Sequence, residues 1–69
     1  PFIDSTGIHN LTNLCRLSQK ENIHIILSGV NENVHTVLKK AGFYSLIGEE
    51  NICSNINEAI KRAEEYVAQ

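Results

Sequence analysis

The residues best suited to chemistry are four consecutive ones near the start of the 69-residue chain, Asp4-Ser5-Thr6-Gly7. They follow the apolar pair Phe2-Ile3 and precede a helical pattern, so they occupy a predicted turn from a strand into a helix. Ligands and modifications gather at the carboxyl ends of strands in open α/β sheets. The first turn of a helix also favours an anion. A phosphate on Ser5 or Thr6 would therefore suit the helix while changing the surface charge by nearly two units.

The same four residues have a simpler interpretation as an ordinary turn. Asp4 or Ser5 caps the helix through a side-chain oxygen, and Gly7 permits tight geometry. Short motifs have high false-positive rates. Taken alone, the four residues favour this simpler interpretation over a phosphorylation site.

The rest of the sequence carries no motif of enzyme chemistry. It contains no phosphate-binding loop, no dinucleotide fingerprint and no nucleophile elbow. Asp4 has no acidic partners nearby in the sequence with which to hold Mg²⁺. We therefore predict that the chain is not an enzyme, and that it has no cofactor and no metal site.

The histidines and cysteines are predicted to have structural roles and not to bind a metal. His9 and His35 fall on the polar sides of predicted helices and are expected in solvent, whereas His24 lies inside a predicted strand. Cys15 is expected to be a small buried hydrophobic residue, and Cys53 to be partly exposed. None of their spacings matches a set of metal ligands.

Composition and charge exclude one broad class of function. The net charge is -2, and the six Lys and Arg residues are scattered along the sequence. No aromatic residues interleave with them as a nucleic-acid platform requires. We therefore expect no basic patch and no nucleic-acid partner. The two cysteines show no evident disulfide pairing, which is consistent with the reducing environment of the cytosol.

The periodicity predicts an α/β fold with a mainly parallel sheet and packed helices. A helix follows the Asp4–Gly7 turn and ends near Asn22, and Ile23–Leu27 is β-branched and apolar enough for an interior strand. Asn31 caps a second helix that ends at Gly42. The buried stripes of these two helices are predicted to contain Ile8, Leu11, Leu14, Cys15 and Ser18, and Val30, Val34, Val37, Leu38 and Ala41.

The last third of the chain continues the predicted alternation of strands and helices. Residues 43–48 are predicted to form a connector and residues 51–54 a short edge strand. A last helix begins at Asn55, with Glu58 completing a capping box. The resulting order is strand, helix, strand, helix, strand, helix, which implies right-handed βαβ units. The buried stripe of the last helix is predicted to contain Ile56, Ala59, Ile60, Ala63 and Val67.

The sequence resembles a known family, the STAS domain of sulfate transporters and anti-sigma factor antagonists. The Asp-Ser-Thr-Gly run resembles the Asp-Ser-[Ser/Thr]-Gly signature at the end of the family's central strand. The similarity extends over nearly all 69 residues in the family's element order. The segments that carry it are Phe2–Ile8, Ile26–Asn31, Val37–Phe43, Ile47–Ile52 and Asn57–Ala59.

The resemblance implies a domain organisation and a regulatory residue. Residues 1–69 would form the C-terminal part of a single STAS domain, with an N-terminal half expected in a longer polypeptide. In the antagonists, a kinase phosphorylates the hydroxyl residue just before the Gly. That position is Thr6 here, with Asp4 and Ser5 beside it. The antagonists usually carry Ser at this place, and the Thr found here, together with Ile47–Ile52, resembles the transporter branch of the family more closely.

Two hypotheses of function follow from the resemblance. In the first, the chain is the cytoplasmic regulatory domain of a sulfate-permease-type anion transporter, and its partner is the membrane domain or a regulatory protein. Its location is then the cytoplasmic face of the membrane. In the second, it is a free cytoplasmic antagonist that binds an anti-sigma kinase. If these 69 residues are the whole folded species, an unpaired strand edge at residues 23–27 or 2–3 also predicts a homodimer or poor stability.

Overall fold

The computed structural model describes residues 4–69, so the predicted strand at Phe2-Ile3 lies outside the described part. Four α-helices and one short 3-10 turn account for most of these residues. They are α1 (Ser5–Lys20), α2 (Glu32–Lys40), α3 (Phe43–Ile47), the 3-10 turn (Glu49–Asn51) and α4 (Ile56–Val67). Within residues 4–69, no helix combines the length and the apolar character that a membrane crossing needs.

The core lies where α1, α2 and α3 meet the two connecting segments. Phe43 and Cys15 are fully buried there, and Leu38 almost so. Burying a side chain as large as Phe43 or Leu38 contributes about 1.5–3 kcal/mol. Val30 and Ile52 complete the core, and partly buried side chains surround it: Ile8, Leu11, Ile25, Leu27, Val34, Tyr44, Leu46 and Ile47.

The two strands predicted at residues 23–27 and 51–54 are reduced to a single parallel bridge between Leu27 and Ile52. Leu27 N–H donates to Asn51 O over 2.8 Å, and Cys53 N–H donates to Leu27 O over 2.8 Å. The expected strands at 23–27 and 51–54 are therefore not present as strands within residues 4–69. A ladder lengthens only where a neighbour satisfies successive backbone groups, and the 3-10 turn ends at Asn51, beside the bridge. The bridge does run in the predicted parallel direction.

Helix α3 occupies the segment that the sequence predicted to be a connector. Gly42 has φ +86°, the left-handed conformation expected just after α2, and its carbonyl accepts the first hydrogen bonds of α3. Phe43 then turns into the core. The prediction of Gly42 as the residue after α2 is confirmed, and the connector prediction is wrong because the apolar residues of this segment form one helical turn over the core.

Helix α4 begins where predicted but is rotated about its axis. Asn55 accepts from Glu58 N–H over 2.9 Å, which confirms the cap, and the Glu58 carboxylate accepts from Ser54 N–H. Of the predicted buried stripe only Ala59 is buried, and Ile60 remains 51 % exposed. The helix instead turns Arg62 and Tyr66 toward the rest of the chain. The predicted stripe residues found exposed are Leu14, Val37, Ala41, Ile56, Ile60 and Val67.

Candidate functional site

The candidate site is the first turn of α1, which Asp4 caps. The backbone of Asp4 is extended, with φ -89° and ψ 175°, and its Oδ1 accepts from Gly7 N–H over 2.7 Å. Its carbonyl accepts from Ile8 N–H over 3.0 Å. Of the two candidate caps, Asp4 is therefore the residue used. A carboxylate at this point also interacts favourably with the positive end of the helix dipole.

Ser5 and Thr6 occupy the first two positions of the helix and are both exposed. Among the described residues, neither hydroxyl takes part in a hydrogen bond. Helical backbone at these positions directs side chains away from the body of the helix. The Thr6 hydroxyl is therefore free to meet a partner or a modifying enzyme without any change in the fold.

Gly7 has a different role from the one predicted. It lies inside α1 and is not among the glycines with positive φ, which are Gly29, Gly42 and Gly48. Its backbone conformation is one that any residue adopts. The interpretation of Gly7 as a residue for tight geometry is therefore wrong. What Gly7 provides is an N–H group for Asp4 and a surface without a side chain next to Thr6.

The geometry fixes what a phosphate on Thr6 would meet. The N–H groups of the first turn attract an anion, but Asp4 already occupies one of them. A phosphate with a charge of about -1.5 to -2 would compete with the Asp4 carboxylate for these donors and repel it. Phosphorylation would thus change both the charge and the hydrogen bonds of this turn.

The histidines contact residues outside this turn. His9 is exposed and contacts Asn13, while His24 stacks on the ring of Tyr66 with centroids 3.7 Å apart. His35 is half-buried, and its Nδ1 lies 2.8 Å from the hydroxyl of Tyr44. The prediction that His35 is in solvent is therefore wrong, because Tyr44 of α3 covers it. No group of ligating side chains within residues 4–69 has the arrangement of a metal site.

Both cysteines are buried thiols. Cys15 is in the core as predicted, but the prediction of a partly exposed Cys53 is wrong, since it is only 5 % exposed. It is covered because its backbone pairs with Leu27 beside α4. Burial raises the pKa of both thiols. Neither is therefore a reactive thiolate at neutral pH.

A polar cluster centred on Asn51 was not predicted from the sequence. This side chain is 3 % exposed. Its Nδ2 donates to Ile47 O over 2.6 Å and to the Tyr66 hydroxyl over 2.7 Å. Arg62 Nε donates to its Oδ1 over 2.6 Å, and the Arg62 guanidinium lies 4.2 Å from the centroid of the Tyr66 ring. The cluster joins α3, the 3-10 turn and α4. In the described part of the chain, no buried side-chain nitrogen or oxygen lacks a hydrogen-bond partner.

A comparison with protein families identifies the fold to which this turn belongs. Residues 1–59 match the family model of the STAS domain, and the chain belongs to this family. STAS domains have an α/β fold and are generally regulatory or binding modules that mediate protein–protein interactions, rather than enzymes. No curated protein and no solved structure matches the chain significantly. The resemblance stated from the Asp4–Gly7 turn and the later segments is therefore confirmed.

Proposed function

We propose that the chain is the cytoplasmic regulatory domain of a sulfate-permease-type anion transporter, and that it binds the membrane domain or a regulatory protein. The observation that carries a binding function is the first turn of α1. There, Asp4 is fixed by its hydrogen bond to Gly7 N–H, and Thr6 is presented in solvent beside it. The assignment to a transporter is supported by the resemblance of Ile47–Ile52 to that branch of the family.

The proposed role needs no catalytic group. The turn supplies one carboxylate, two free hydroxyls and a surface without a side chain at Gly7. A partner loop can approach the backbone at this glycine and form hydrogen bonds with the neighbouring side chains. The chain therefore acts as a binding module and not as an enzyme, and its chemistry is recognition.

Cell fractionation tests this proposal directly. An antibody raised against the 69-residue chain should detect its parent protein in the membrane fraction. The epitope should be digested by protease from the cytoplasmic face only. A parent protein found in the soluble fraction after gentle lysis would overturn the assignment to a transporter.

A second function is supported by the exposure of Thr6. In a free-standing anti-sigma factor antagonist, a kinase that is also the anti-sigma factor would bind this turn and phosphorylate Thr6, with Ser5 as the neighbouring hydroxyl. Incubation of the chain with ATP and a purified anti-sigma kinase from the same source should then place one phosphate on Thr6. A Thr6→Val variant that is phosphorylated to the same extent would contradict this role.

A further inference from the structure

We draw no further inference here: the strongest candidate, the exposed apolar stripe along α4 formed by Ile56, Ile60 and Val67, carries none, because nothing in the described part of the chain shows what covers it.

Discussion

Arg62 Nε donates to the buried Oδ1 of Asn51 over 2.6 Å, and this contact holds α4 against the 3-10 turn. Tyr66 adds a second link, because its hydroxyl accepts from both Asn51 and Arg62. Ala59 is the one buried residue of α4. The last helix is therefore attached largely by directional polar contacts, which fix its rotation and leave Ile56, Ile60 and Val67 in solvent.

Removal of the Asn51 side chain should destabilise the chain more than removal of any exposed amide. Asn51→Ala leaves the Arg62 and Tyr66 groups without their shared partner, and we expect a loss of about 2–3 kcal/mol in the free energy of unfolding. Urea denaturation measures this loss. The matched control is Asn57→Ala on the exposed side of α4, which should change stability by less than about 0.5 kcal/mol. Equal effects of the two substitutions would mean that the cluster does not hold α4.

Two glycine substitutions should have opposite signs. Gly7 lies within α1, so Gly7→Ala should raise the free energy of unfolding by about 0.5–1 kcal/mol. Gly42 has φ +86° with nothing within 4 Å of the position of an added Cβ, so Gly42→Ala costs only backbone strain. That strain should lower stability by about 1 kcal/mol or more.

Thermal unfolding of the Gly7→Ala and Gly42→Ala variants, each compared with the unaltered chain, measures both changes in stability. A destabilising Gly7→Ala would show that this position needs conformational freedom, as the sequence alone suggested. A neutral Gly42→Ala would show that α2 does not end in a left-handed residue.

Stability should decline in alkaline solution because of the buried thiols. Burial raises the pKa of Cys15, and burial together with the nearby Glu58 raises that of Cys53, in each case above the ordinary value of 9.0. Below that value both states keep the proton and stability is constant. Above it the unfolded chain loses the proton first, so the free energy of unfolding falls as pH rises toward the folded pKa.

Urea titrations between neutral pH and about pH 10 follow this decline. The Cys53→Ala variant should be less stable overall but should show a shallower decline with pH than the parent chain. A decline of unchanged slope in this variant would assign the effect to another group. Tyr44 is the first alternative, because burial raises the pKa of its phenol too, from an ordinary value of 10.0.

A negative charge at Thr6 should alter binding without altering the fold. Thr6→Glu places a carboxylate in the first turn, where the helix dipole favours it and Asp4 repels it, so stability should change by less than about 0.5 kcal/mol. Affinity for the protein partner should fall about tenfold, because the added carboxylate replaces a neutral hydroxyl at the interface and must lose its hydration there. Thr6→Ser, which keeps the hydroxyl, is the matched control. Titration calorimetry with the purified partner that shows equal affinities for Thr6→Glu and Thr6→Ser would contradict a regulatory role of this turn.

The helix boundaries were predictable because their signals are local. Asp4, Asn31 and Asn55 each accept from a backbone N–H three residues later, and a short polar side chain before an amphipathic segment is enough to reveal this. Gly42 ends α2 for an equally local reason. The Asp4–Gly7 turn was located from the same signals.

The absence of the predicted strands and the rotation of α4 could not be predicted from the sequence, because both depend on contacts with segments that are distant along the chain. Residues 23–27 have the composition of a strand, yet among them only Leu27 takes part in a β-bridge within residues 4–69. Asn51 carries no periodic signal, so its contacts with Arg62 and Tyr66 appear only in three dimensions.

The most direct test of the central claim, that the chain regulates an anion transporter, is the sequence of the complete reading frame that encodes it. We expect a frame with about ten or more apolar segments, each near twenty residues long, joined to this domain. A frame that encodes a single STAS domain and no such segments would contradict the assignment to a transporter and would favour an antagonist controlled by a kinase.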